Sequence, residues 1–256
     1  MKITLMQADI RWNDPAANRE RLGRSIRESA PSDLIVLPEM FTTGFCTSPR
    51  GAAEPDGTET LRWMREQAAA KGAAIAGSVA VEEAGRYYNR FYFVRPDGTS
   101  AQYDKHHLFT YGGEHNEYTG GRERIVVEYG GWRIRPIVCY DLRFPVWIRN
   151  RGDYDLLLCA ASWPSSRIGA WSALLRARAI ENACYAAGVN RVGNDPYNAY
   201  CGASALYDFK GDTLADGTAE GTEAVLYGEA DPDALREFRR RFPVLDDADP
   251  FTLDKE

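Results

Sequence analysis

The stretch Arg133-Ile134-Arg135-Pro136-Ile137-Val138-Cys139-Tyr140-Asp141-Leu142-Arg143-Phe144-Pro145 decides how the chain is read. Positions 132–138 have the composition of a β-strand, and Pro145 suits the first position of a short helix. Cys139 stands where the strand ends, and Asp141 and Arg143 follow at once, so its surroundings are not dry. Two other strand candidates end in the same manner. Leu34-Ile35-Val36-Leu37 runs into Pro38-Glu39-Met40-Phe41, and 100–103 runs into Asp104-Lys105-His106-His107-Leu108-Phe109. A thiol, a carboxylate and an ammonium thus lie just beyond the carboxyl ends of three strands, the edge where ligand crevices form in layered α/β proteins. They share one pocket if those strands are neighbours.

Working outward, the strand candidates are 3–8, 34–37, 73–81, 87–95, 100–103, 124–129, 132–138, 156–161, 185–191, 203–207 and 224–229. Turn chemistry at Arg95-Pro96-Asp97-Gly98-Thr99, Tyr129-Gly130-Gly131-Trp132 and Phe209-Lys210-Gly211-Asp212 joins neighbours as hairpins. Helices open at Asp14-Pro15, at an Asp56/Glu59 capping box and at Asp231-Pro232, and the longest is expected over about 166–187 with Trp171, Leu175 and Ala179 on one stripe. Hairpins and crossovers mixed in this way predict an α/β fold with two sheets face to face and helices outside, rather than one doubly wound sheet. The Arg239-Arg240-Arg241 run reads as a solvated basic face.

The length of 256 residues and the lack of a linker predict a single domain over 1–243, followed by an acidic tail over 244–256 that is either loose or draped over a partner subunit. With 44% apolar and 27% charged residues the chain is neither disordered nor membrane-embedded. Its net charge of −6 gives no global positive field for a nucleic acid. The run 156–161 is far shorter than the ~18 residues a membrane span needs. The first residues carry no signal-peptide core, so the expected compartment is the cytoplasm. Five cysteines without a Cys-x-x-Cys spacing argue for a reducing environment. Of these, Cys159 and Cys184 read as core packing, while Cys46 and Cys201 fall in loops that can line a pocket. His106, His107 and His115 with Glu114 invite a zinc reading, but their spacing matches no metal pattern and adjacent strand histidines face opposite ways. Neither a metal nor an organic cofactor is expected, since no Gly-x-Gly-x-x-Gly or Walker loop is present.

Together the three segments resemble the motifs of the nitrilase superfamily of carbon–nitrogen hydrolases: Leu37-Pro38-Glu39, Asp104 to Phe109, and Cys139 to Pro145, in that order. The resemblance runs from Ile3 to about Glu229 and implies a four-layer αββα sandwich that pairs into a homodimer. Pro38 to Phe45, Gly113-Glu114-His115, Trp163-Pro164-Ser165-Ser166-Arg167 and Arg178-Ala179-Ile180-Glu181-Asn182 are similar to the bacterial omega-amidase branch. That likeness implies hydrolysis of the terminal amide of 2-oxoglutaramate or 2-oxosuccinamate. Ala183 and His106 depart from the branch, where glutamine and arginine are usual.

The resemblance implies Cys139 as nucleophile, Glu39 as general base, and Lys105 with the Tyr140 backbone N–H as oxyanion donors. Glu114 becomes the second glutamate, with Glu117 as the competing assignment. An amide that carries its own carboxylate also needs a cation in the pocket, and arginine offers a planar fork. Arg167 is the first choice and Arg143 the second, with an ion pair to Asp141 or a glutamate as the structural alternative for Arg143. Phe45, Tyr118 and Trp163 are candidates for the pocket wall. Alternatives are another small-amide or N-carbamoyl amine hydrolase of the same superfamily, or a non-catalytic metabolite-binding or redox protein on the same fold.

Overall fold

A computed structural model describes residues 1–217 and 219–253. The chain runs β1 Lys2–Gln7, α1 Pro15–Glu28, β2 Leu34–Val36, β3 Glu54–Pro55, α2 Glu59–Lys71, β4 Ala74–Glu83, β5 Arg86–Val94, β6 Ser100–Asp104, β7 Val127–Tyr129 and β8 Trp132–Val138. It continues α3 Pro145–Ile148, β9 Leu156–Ala161, α4 Ile168–Glu181, β10 Tyr185–Asn190, β11 Val192–Asn194, β12 Ala199–Cys201, β13 Ala205–Tyr207, β14 Thr213–Asp216, β15 Ala224–Glu229 and α5 Pro232–Arg241. One sheet has the order β15-β1-β2-β4-β5-β6, with β3 beside β4, and the other has the order β14-β13-β10-β9-β8-β7. β11 and β12 form a separate ribbon.

Side-chain alternation sets the layers. Ile3, Leu5, Leu34, Val36, Ala74, Ala76, Phe91 and Phe93 pack toward the second sheet. Met6, Ile35, Ile75 and Tyr92 take the opposite face with Leu22 and Ile26 of α1 and Leu61 and Met64 of α2. Both faces are apolar, so these strands read as continuous hydrophobic runs. On the outer side of the second sheet, α4 lays down Trp171, Leu175 and Ala179. Gly188 of β10 permits that approach, because a Cβ there would come within 2.4 Å of Leu175 and 2.8 Å of Trp171. Each fully buried aliphatic or aromatic side chain contributes about 1.5–3 kcal/mol, against roughly 0–1 kcal/mol for an exposed ion pair. Alternation, rather than surface charge, therefore holds the α–β–β–α sandwich together.

Strand direction then brings the three motifs near one another. β2 and β4 are parallel, β5 is antiparallel to β4, and β6 is antiparallel to β5. β6 therefore points the same way as β2, and Glu39 and Lys105 leave the first sheet at one edge. β8, β9 and β10 are parallel in the second sheet.

Some local expectations are corrected. The long helix stops at Glu181 instead of reaching 187, because Asn182 caps it through Arg178 O, Ala183 turns at φ +44° and β10 begins by pairing with β9. The Asp56/Glu59 box does not form: Thr58 is the cap residue, and Asp56 is taken by Tyr92 and Arg90. The strand expected over 124–129 is only Val127–Tyr129, since Arg124 is drawn to Asp153 and to Arg149 O. β3, β11, β12 and β14 are too short to show a period. Arg239 is not part of a solvated face, because it binds Ala183 O, Tyr154 O and Asp155, whereas Arg240 and Arg241 are exposed beside Glu237. In the tail, Phe251 lies under Arg151 and Leu253 packs on the core. Its last three positions, 254–256, lie outside the described residues.

Candidate active site

Each of the four charged or nucleophilic candidates is delivered by a local device. After β2, Leu37 N–H bonds Ala76 O, and the chain then turns through Met40 at φ +44°, a costly conformation for a non-glycine residue. Ser78 of β4 holds that turn by accepting from Met40 N at its hydroxyl and from Phe41 N at its carbonyl. Glu39 therefore projects inward and is fully buried. Lys105 follows β6, with its N–H on Asn89 O and its carbonyl accepting from Gly121 N. Only glycine fits at 121, where a Cβ would fall 2.1 Å from Asp104 O. Glu114 enters from a one-turn 3-10 segment whose exit is pinned by Thr119 N–H on Tyr87 O.

Cys139 opens a 3-10 turn directly after β8 and has φ +42°. Asp141 clasps this turn. Its buried carboxylate accepts from Val138 N (3.0 Å), His107 N (2.9 Å), His107 Nδ1 (2.9 Å) and the Tyr103 hydroxyl (2.8 Å). Despite burial, the His107 and backbone donors hold that carboxyl below the usual range. The cysteine turn is thus tied to the lysine segment. The histidines are also occupied: His106 stacks on Trp147 and bonds Gly121 O, and His107 stacks on Phe144.

The charges form a closed cluster. Lys105 Nζ lies 3.0 Å from Glu39 Oε1 and 3.1 and 2.8 Å from the two oxygens of Glu114. Glu39 Oε1 also accepts from Asn89 Nδ2, and Oε2 accepts from Ser162 N at 2.9 Å. Glu114 Oε1 accepts from Asn89 Nδ2, and Oε2 accepts from Phe109 N. A carboxylate offers about four lone-pair sites. Those of Glu114 are all filled, whereas Glu39 keeps one open, on Oε2. Burial opposes the charge on Lys105, but Glu114 and Glu39 outweigh it and keep the ammonium protonated above the normal lysine range. Burial raises the Glu114 carboxyl, with Lys105 pulling it back. Burial and then Glu39 push the Cys139 thiol well above its ordinary range, with Lys105 again opposing. The resting sulfur therefore carries its proton at neutral pH.

A cavity of about 600 Å³ opens onto Glu39, Lys105 and Cys139, with Tyr140, Arg143, Ser162, Trp163, Arg167 and Phe45 in its wall. Arg143 lies 4.8 Å over the Trp163 ring, and Arg167 lies 5.4 Å over Phe109. Among the described residues neither guanidinium has an ion pair, so the Asp141–Arg143 pair is not formed. Two cations thus face the same space as the thiol. Asp195 also borders the cavity, but its carboxylate is taken by Tyr200 OH and by the N–H groups of Tyr197 and Asn198. Tyr118 is a correction: it is buried behind the cluster with its hydroxyl on Cys46 O, so it is not a wall residue. Cys46 likewise is buried with its sulfur on Ser48 O. Glu117 is exposed, which leaves Glu114 as the glutamate in contact with Lys105. Asn89 and Ser162 are absent from the sequence reading. A signal for Asn89 did exist, because it shares a strand face with Phe91 and Phe93 and so places a polar group where alternation demands an apolar one.

A four-layer α/β sandwich with thiol, carboxylate and ammonium converging at strand ends defines a thiol-dependent hydrolase of the nitrilase type. A family model described as carbon-nitrogen hydrolase matches residues 2–240, and the chain belongs to that family of enzymes. It is 46% identical over 254 residues to the omega-amidase YafV of Yersinia enterocolitica, covering 99% of this chain and 98% of that protein. It is 36% identical to the 2-oxoglutaramate amidase of Bacillus subtilis (strain 168), covering 96% of each. XC1258 from Xanthomonas campestris, a CN-hydrolase superfamily protein solved with an arsenic adduct in its active site, is similar with a TM-score of 0.94 and 46% identity over 99% of both chains.

Proposed function

We propose that the protein is an omega-amidase that converts the terminal amide of 2-oxoglutaramate, or of 2-oxosuccinamate, to the acid and ammonia. The observation that carries this reading is that Arg143 and Arg167, which have no ion pair among the described residues, share one cavity with Cys139, Glu39 and Lys105. An amide whose far end is a 2-oxo carboxylate uses such cations, with Arg167 as the principal clamp. An amine-bearing substrate would meet a positive wall, because the Asp195 carboxylate is already occupied.

In the reaction, Glu39 takes the thiol proton of Cys139 on Oε2 as sulfur attacks the amide carbon. The Lys105 ammonium and the Tyr140 N–H stabilise the oxyanion, a donor role typically worth ~3–4 kcal/mol. Glu39 returns the proton to nitrogen, ammonia leaves, and a thioester remains on Cys139. Water, deprotonated by Glu39, then attacks the thioester, and the thiol is restored as the acid departs. Glu114, saturated with donors, keeps Lys105 charged and in place. No step requires a metal or an organic cofactor.

Ammonia release from 2-oxoglutaramate, compared with glutamine, asparagine, a nitrile and an N-carbamoyl amine, tests the substrate. The expected order puts 2-oxoglutaramate first, and Arg167→Ala raises its KM far more than that of a neutral amide. Preference for a substrate without a carboxylate would overturn the assignment. We also propose a homodimer working in the cytoplasm, with the half-exposed apolar side chains Val146 of α3 and Ile180 of α4 as candidate contacts. No helix among the described residues is long and apolar enough to cross a membrane. Sedimentation velocity should report a dimer at micromolar concentration, and a monomer there would remove that proposal.

A further inference from the structure

Resting on the thiol-hydrolase reading above, we propose that Asn89 is a positioning residue of the reaction, whose side-chain amide donates to both glutamates and so gives them different roles. The residue sits on the inward face of β5, almost wholly buried. Its Nδ2 lies 2.8 Å from Glu39 Oε1 and 3.2 Å from Glu114 Oε1. Its backbone carbonyl accepts from Lys105 N. One residue thus contacts three members of the charged cluster.

The orientation of this amide follows from its neighbours. Turned over, Oδ1 would face two carboxylates and find only acceptors. As placed, Oδ1 is buried and has no hydrogen-bond partner among the described residues. An unsatisfied buried acceptor is a cost that packing alone does not explain. The two donated bonds are what it secures. They fill Glu39 Oε1 together with Lys105, leaving Oε2, which has Ser162 N as its single donor, with the lone pair that can take a proton. They also complete the saturation of Glu114 Oε1. Without the amide, both glutamates would have a free lone pair and the distinction between base and electrostatic partner would weaken.

The ionisable groups acting on Glu39 and its neighbours are Lys105, Glu114 and Cys139, with Cys159, Tyr118 and, in the cavity wall, Tyr200 further out. Replacing Asn89 by leucine removes a donor from the Glu39 carboxylate and leaves all of these charges in place. A carboxylate that loses a donor binds protons more readily. The acid limb of the kcat/KM profile therefore moves to higher pH, and the Cys139 proton passes to Glu39 more readily.

The experiment compares wild type, Asn89→Leu and the isosteric Asn89→Asp on whichever amide the wild type hydrolyses, and follows alkylation of Cys139 by iodoacetamide across pH. For Asn89→Leu, kcat should fall roughly 10- to 100-fold, part of the ~10²–10⁴ that a positioned base supplies, with KM little changed and the acid limb displaced upward. Alkylation at neutral pH should become faster as turnover falls. Asn89→Asp, which keeps the shape, should also displace the acid limb upward and serves if leucine disturbs folding. A folded variant whose acid limb is unmoved overturns the proposal, since a loss of rate without that shift means packing alone. If the wild type hydrolyses no amide, the proposed function fails, and the alkylation rate still decides the role of Asn89: unchanged alkylation in Asn89→Leu would refute it.

Discussion

Glu39 and Glu114 are the same residue type, equally buried and bound to the same lysine, yet the geometry separates them. The distinction is one vacant lone pair, on Glu39 Oε2. It has a consequence for Glu39→Gln. Amide turnover should fall by at least ~10²-fold with loss of the general base. The thiol should behave in the opposite way: Glu39 raises the Cys139 pKa and Lys105 lowers it, so removing the carboxylate lowers that pKa and increases the thiolate fraction at neutral pH. Iodoacetamide should therefore alkylate Cys139 faster in Glu39→Gln than in wild type. Slower alkylation would mean that Glu39 acts as a preformed thiolate partner and not as a base engaged during attack.

At the scale of elements, the turn after β8 and the segment after β6 are held together by Asp141. Substituting asparagine presents an NH₂ group where donors converge, at about 1–3 kcal/mol for each donor left unpaired. The folded state holds this carboxyl below its usual value, so its stabilisation is fully present above the ordinary aspartate pKa of about 3.9. It is lost as pH falls through the lower folded value. The gap in unfolding midpoint between wild type and Asp141→Asn should be largest near pH 7 and close toward pH 3, and a gap independent of pH would contradict the clasp. Cys139, Glu39 and Lys105 stand out because each ends a recognisable strand. The partner of Asp141 does not, because His107 comes from a distant loop and the local Arg143 is the more obvious candidate. Arg143 instead turns away to lie over Trp163. Asn89 and Ser162 were hidden for a related reason, since their value depends on which carboxylate reaches them through space.

Across the whole molecule, the number of strand candidates, with hairpin turns and helical crossovers mixed along the chain, made the two-sheet sandwich legible, and each sheet indeed combines parallel and antiparallel pairs. What was not legible lies where tertiary contacts override local signals, as at the early stop of α4 before Ala183, or in strands of two to four residues. The assembled chain places one ammonium between two carboxylates, and a thiol and two guanidiniums without an ion pair among the described residues face the same cavity. That thiol carries out the proposed chemistry. Ammonia released from 2-oxoglutaramate by wild type and by Cys139→Ala, measured side by side, tests it most directly. The expected result is one ammonia per substrate consumed by the wild type and background release by the variant, whereas continued release by Cys139→Ala would contradict the mechanism.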